Sequence, residues 1–321
     1  MKNVHKVLSL IAATVITLGM VVNAAAADYP NGNIELVVGW GAGGGTDRFA
    51  RSIAEPLSKV LGANVVVVNL PGASGAVGGD YVLQQPADGQ TIWAMTSNYP
   101  VNVAAKKTPY GLDKYDTVVR MQHDTASLSV AKASPFKTID DLVAYAKKHP
   151  GKLTVGGTGS ASFDEVMVAL AMEAMGIDMQ YVPYESAGKM HAAMLGGHLD
   201  CLFDEFGPLG GYFKDGSMRP LVVLNDTRVN GFPDLPCTKE KGWNVNIGIW
   251  RGILVKKGTD PAIVKTLADA FKTAGQDAKY LDIVKQSCLD LRPGYLGPED
   301  FNAFLGNEIT MFSNTMKKLG F

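Results

Sequence analysis

The sequence predicts an α/β protein with helices packed on parallel sheets. Three observations lead there. Short β-branched apolar runs alternate with amphipathic stretches, glycine-rich turns join the two, and this strand–turn–helix unit recurs in the second half of the chain. The first unit starts at Ile34 to Val38, whose length and branching suit a buried strand. Five glycines follow between Gly39 and Gly45, letting the backbone turn tightly and leaving nothing to block an approaching ligand. Thr46 and Asp47 supply N-cap and first-turn chemistry for a helix running to about Leu61. A helix start presents unpaired N–H groups and the positive end of a macrodipole. Gly43, Gly44, Gly45, Thr46 and Asp47 are therefore candidate residues for holding an anion.

The next elements extend the pattern. Asn64 to Asn69 reads as a strand, Pro71 to Gly79 as a turn into a helix through Gln85, and Thr91 to Thr96 as a third strand. Ser97 and Asn98 then lie at a strand's carboxyl end, where open parallel sheets line their ligand crevice. Ser127 to Val130 is extended and carries the chain out of this first part. Thr138 to His149 is a helix with Asp140 and Asp141 in its first turn and Lys147 and Lys148 in its last, as the macrodipole favours.

Leu153 to Val155 is a strand, and Gly156 to Ser162 repeats the opening theme, with Ser162 and Glu165 forming a capping box. Met179 to Tyr184 and Asp200 to Phe206 read as strands around a helix from Gly188 to Leu195. Leu221 to Leu224 and Gly252 to Val255 are strands suited to return the chain to its first part. Helices at Pro261 to Ala274, with Gly275 at its C-terminal end, and at Pro298 to Leu319 close the sequence. Two strand–glycine-turn–helix units, one per half, suit a cleft that grips an anionic molecule.

The first 27 residues read as an export signal. Lys2 and Lys6 precede a 16-residue apolar stretch, Val7 to Val22, shorter than the roughly 18 residues of a spanning helix. Ala24 to Ala27 supply small residues for cleavage near Ala27, and no cysteine follows to take a lipid. The mature chain of about 294 residues suffices for two ordinary domains. Losing Lys2 and Lys6 leaves a net charge of about −3, with no basic stripe for nucleic acid. Cys201 reads as a buried thiol, and a Cys237–Cys288 bridge is compatible with an oxidising compartment. No metal-ligand spacing and no cofactor signature stand out; His191 and His198 lack a neighbouring cluster.

Two enzymatic readings fare poorly. Gly39-Trp-Gly-Ala-Gly-Gly44 matches a dinucleotide fingerprint, but Asn69 stands where an acidic ribose ligand is needed. For an exported hydrolase, Ser74, Ser160 and Ser162 sit in glycine-rich turns, yet none lies in a nucleophile-elbow motif. Asp204 and Glu205 are neighbours on a strand, so one is expected to face the cleft and the other solvent.

In order, the chain carries Tyr29-Pro30, Gly43-Gly-Gly-Thr-Asp47, Val68-Asn-Leu-Pro-Gly-Ala73, Pro86-Ala-Asp-Gly89, Val182-Pro-Tyr184, Gly197-His-Leu-Asp200, Phe203-Asp204, Pro233-Asp-Leu-Pro236, Trp250-Arg-Gly252 and Gly258-Thr-Asp-Pro261. With these it resembles the Bug-type (TctC-like) periplasmic receptors of tripartite tricarboxylate transporters. The resemblance implies a type II periplasmic-binding-protein fold, or Venus flytrap. Its two α/β domains would be joined by hinge strands: residues 28–130 plus about 226–321, and about 131–225.

It further implies a monomeric, non-enzymatic periplasmic receptor. Such a receptor takes a di- or tricarboxylate or aromatic acid and hands it to large and small integral membrane subunits. A sensory receptor of the same fold is the alternative in kind. The residues implied at the site are Gly43 to Asp47 and Thr158, Gly159, Ser160, Ala161 and Ser162, with Ser97, Asn98 and Asp204 beside them. Three positions depart from the usual pattern. Trp40 suits either a pocket wall or the core, Arg251 either a second carboxylate or a hinge, and Glu185 adds an acid near the expected cleft.

Overall fold

The computed structural model describes residues 29–320, except 107, 109 and 161. The expected leader with its cleavage site, and Ala161, lie outside the described residues. The fold is α/β, as expected, and is built on two five-stranded sheets of the same plan.

The first sheet has the order β2-β1-β3-β10-β4, from Ile34–Val38 (β1), Val65–Asn69 (β2), Thr91–Thr96 (β3), Tyr115–His123 (β4) and Trp250–Lys256 (β10). The second has the order β7-β6-β8-β5-β9, from Ala126–Ala131 (β5), Thr154–Thr158 (β6), Gln180–Tyr184 (β7), Cys201–Glu205 (β8) and Met218–Val223 (β9). Each sheet has three parallel strands, flanked by an antiparallel strand that pairs in turn with the fifth. In both, the strand that leads into the main glycine turn (β1, β6) holds the second position.

Both faces of these sheets are covered, which is why the strands are near-continuous apolar runs rather than alternating ones. Helix α1 (Gly45–Leu61) lays Phe49, Ile53 and Leu57, spaced four apart, onto the β1 face that carries Leu36 and Val38. Val37 points the other way, into a cluster with Trp93, Tyr99 and Trp250. Helices α2 (Ala76–Gln84) and α3 (Asn98–Ala104) complete the first run, and α4 (Ile139–Lys148), α5 (Phe163–Met175), α6 (Ala187–Leu195) and α7 (Phe206–Lys214) clothe the second sheet. Helices α8 (Pro261–Ala274), α9 (Ala278–Gln286) and α10 (Pro298–Leu319) end the chain.

Strand membership differs from expectation at two points. The 127–130 segment lies inside β5, hydrogen-bonded in the second sheet, and β9 remains in that sheet beside β5 rather than returning to the first. The chain therefore passes from the first sheet at Asp124–Thr125 and returns only at β10. These two passages touch: Asp124 N donates to Ile249 O at 2.7 Å. A Cβ on Gly248 would lie 1.9 Å from Asp124 O, so only glycine permits that approach. Helix α10 makes a third link, with Phe301 and Leu305 in one core cluster and Phe312 and Met316 in another beneath the second sheet.

Gly275 has φ −65°, not the left-handed cap conformation; a side chain there would strike Met121, so its smallness serves packing. All three cysteines are free thiols. Cys201 and Cys237 are buried, and no Cys237–Cys288 bridge forms. No helix among the described residues is long and apolar enough to cross a membrane.

Candidate functional site

The first glycine turn is held by its own residues. Asp47 is 2% exposed; its Oδ2 accepts from Gly43 N (2.8 Å) and Arg51 Nε (3.0 Å), and its Oδ1 from Asn69 Nδ2 (2.9 Å). Burial opposes its ionisation, but these donors outweigh that and hold its pKa below the usual carboxylate range. Gly44 is the N-cap of α1 and no side chain caps the helix, so its first-turn N–H groups remain unfilled. The glycines divide by duty. Gly39 meets the backbone of Gly75, and Gly78 that of Gly39, so the turn packs closely on the start of α2, and a Cβ on Gly75 would strike the Trp40 ring. Within the turn, Gly41 and Gly43 have open space where a Cβ would stand. Trp40 thus packs across the neighbouring turn, with its carbonyl accepting from Asn69 Nδ2.

The second turn is more self-contained. Thr158 donates both N–H (2.7 Å) and Oγ1 (2.6 Å) to Asp164 Oδ2. Gly159 N donates to Tyr184 O, and Gly159 O accepts from Tyr181 OH at 2.8 Å. Ser162 Oγ accepts from Glu165 N, capping α5, and donates to Gly159 O. Ser160 is exposed. The two helix starts are therefore unlike: α1 is open and α5 is capped. Ser97 is fully buried with an unpartnered Oγ, and Asn98 is tied to Thr96 Oγ1.

Asp204 and Glu205 correct the expectation that one of them faces solvent, since both are buried. Asp204 Oδ2 lies 2.6 Å from His191 Nε2, and its Oδ1 accepts from Glu205 N, so His191 has a partner after all. Burial first, and then the neighbouring Asp204, Asp164 and Asp124, push the Glu205 carboxyl well above its ordinary range. Burial also raises Asp164 to about 6, with Asp204 adding to the rise against the Thr158 hydrogen bonds. Glu185 sits on the exposed surface, paired with Lys189.

Arg251 links the sheets' ends. Its Nη1 donates to Asp124 Oδ2 at 2.9 Å, and its Nη2 would lie 2.6 Å from a Cβ on Gly45. A cavity of about 430 Å³ opens here, lined by Gly45, Gln122, Asp124 and Arg251 on one side and by Glu205 and Gly207 on the other. Among the expected residues, the structure brings Gly45 and Arg251 together here. Sequence reasoning missed Asp124, Asp164, Glu205 and His191 as parts of this region. Asp164 had a faint signal, as an acid in the first turn of a helix that follows a glycine turn. No group of residues suited to a metal ion occurs among the described residues.

Against known proteins, a family profile described as "Tripartite tricarboxylate transporter family receptor" matches residues 49–321. A Cupriavidus necator protein, "UPF0065 protein in gbd 5'region", is 32% identical over 97% of this chain and 95% of its own length. Protein BugT of Bordetella pertussis is 26% identical over 99% of this chain and 98% of its own. Among solved structures, a TctC solute binding protein from Polaromonas superposes with TM-score 0.82 at 28% identity, covering 90% of this chain and 99% of that one. Rpa4515 of R. palustris, solved with adipate, gives TM-score 0.74 at 26% identity, covering 91% and 99%.

Proposed function

Because this chain belongs to the tripartite tricarboxylate transporter receptor family, we propose that it captures a small organic carboxylate between its two sheets and presents it to membrane transport subunits. One observation carries this reading. Groups suited to an anion converge from both sheets on one cavity: the open start of α1 and the Arg251 guanidinium from the first, and the Glu205–Gly207 corner from the second. A related receptor of 26% identity was solved with adipate, which supports the carboxylate class.

In this reading, the Gly43–Asp47 turn binds through main-chain N–H groups, Asp47 shapes the turn, and Ser160 with its neighbours closes from the other side. The crossover at Asp124 and Gly248 acts as the hinge between one unit built on the first sheet, residues 28 to about 124 plus about 250–321, and another built on the second, about 125–249. Ligand favours the closed state by its differential affinity for it. The leader directs the chain to the periplasm. There it works as a monomer with large and small membrane subunits, without chemistry on its ligand.

The test is a thermal-shift screen of refolded, ligand-free mature protein against mono-, di- and tricarboxylates, aromatic acids and neutral analogues. A true ligand at about 100 times its dissociation constant adds about 2.7 kcal/mol of stability. Shifts confined to acids support the receptor reading. Shifts only with neutral or cationic solutes, or turnover of added esters, would overturn it.

A further inference from the structure

Glu205 is an acid without a counter-ion. It ends β8, is 8% exposed and lines the cavity of about 430 Å³. Among the described residues no N–H or hydroxyl donates to its carboxyl, whose oxygens keep their contact with the cavity. The bases around it are engaged elsewhere. His191 Nε2 lies 2.6 Å from Asp204 Oδ2, Arg251 Nη1 donates to Asp124 Oδ2 at 2.9 Å, and Arg48 Nη1 donates to Gly43 O at 3.2 Å.

Every element packed around Glu205 bears on its charge. Asp204 on its own strand hydrogen-bonds the Glu205 carboxyl, Asp164 comes from α5 and Asp124 from the crossover, and all three oppose its ionisation. Positive charge comes from Arg251 on β10, from Arg48 on α1 and from Arg292, which reaches Asp124 O; His191 comes from α6. On the neighbouring β5, Ala126 stands opposite Glu205 and adds no charge. Cys288 follows the cavity-lining Ser287, and burial keeps its thiol protonated to higher pH than usual. A carboxyl buried among carboxylates, with each base already paired, is more stable as the neutral acid. In that form it offers one O–H donor.

We propose that Glu205 stands in the wall of the cleft as a neutral acid at neutral pH and donates its O–H to the bound anion, so that the cleft accepts anions only while Glu205 keeps its proton. The role toward an anion rests on the receptor reading; the protonation does not. Once ionised, the same carboxyl sets an unpaired negative charge against the ligand. Affinity is therefore full below the raised Glu205 pKa and falls as pH rises through it.

Infrared difference spectra of the refolded, ligand-free mature chain, wild type minus Glu205→Gln, read the proton directly. At pH 7 the difference should hold the C=O stretch of a protonated carboxylic acid, which alkali converts to carboxylate. Calorimetric titration with succinate, adipate and benzoate, all ionised above pH 7, reads the consequence. Glu205→Ala should weaken binding tenfold or more at pH 7, and Glu205→Gln, which again offers a neutral donor, should restore most of the loss. In the wild type, affinity should fall by up to about tenfold per pH unit as the acid band disappears, and Glu205→Gln should not share that fall. A wild type already ionised at pH 7, or an affinity indifferent to the loss of the band, overturns the proposal and leaves the receptor reading standing. A wild type that carries the band yet binds none of the three acids upholds the protonation and overturns its role toward an anion, together with the receptor reading.

Discussion

Asp47 shows how a residue read from sequence as a site candidate can act through the backbone around it. Its two carboxylate oxygens are spent on Gly43 N, Arg51 and Asn69, so it sets the shape of the glycine turn. Replacing Asp47 by Ala leaves these donors unanswered in a buried setting and is expected to cost about 2 to 3 kcal/mol in urea unfolding at neutral pH. The sign of its pH dependence follows from its lowered pKa. The stabilisation is present above the unfolded value of 3.8 and is lost as pH falls through the lower folded value. The gap between wild type and Asp47→Ala should therefore be full at pH 7 and close in strong acid. The identity of Asp47 as a first-turn acid could be read from sequence; its three partners could not, because Asn69 reaches it from the next strand.

At the scale of elements, the start of α1 carries the clearest consequence. Gly43 adopts φ +82°, a conformation that L side chains rarely take, whereas Gly41, also in open space, is not in the left-handed region. Gly43→Ala should lower stability by about 1 to 2 kcal/mol, while Gly41→Ala should stay within about 0.5 kcal/mol. Melting curves of the two variants check this; equal losses would mean the strain is not where the backbone places it.

Elements with strong periodicity or sharp punctuation could be read almost to the residue: β1, β3, α1, α8 and α10. Helix α9 escaped because it is short and mostly exposed, with only Tyr280 of its nine residues buried. Strand β4 escaped because its second half holds buried polar groups, Arg120, Gln122 and His123, that look like a surface segment until their partners are known.

For the whole molecule, α10 matters because it ties the two cores together and buries a carboxyl in doing so. Glu308 accepts from Trp250 Nε1 at 2.5 Å, and burial raises its pKa to about 8 against the pull of that bond and of Arg120 and Arg292. The folded pKa exceeds the unfolded value of 4.5, so the contribution is fully present below 4.5 and is lost as pH rises through about 8. Glu308→Gln, which keeps the acceptor for Trp250 without the ionisation, should remove a component of alkaline destabilisation worth a few kcal/mol. Unfolding free energies at pH 5 and pH 9 read it directly; a pH slope shared by variant and wild type would exclude Glu308 as its source.

The class of the fold, the two glycine turns, most of the strongly patterned helices and the family are legible from residue order alone, because they depend on local spacing along the chain. The tertiary structure alone decided which sheet takes β5 and β9. It also decided which glycines of the turns serve packing and which face open space, and how Asp124, Asp164 and Asp204 gather around Glu205. The reason is physical. Sheet membership, desolvation and hydrogen-bond partners are set by groups far apart in sequence, as in the buried pair of Arg251 with Asp124, which packs against Gly45 from yet another part of the chain.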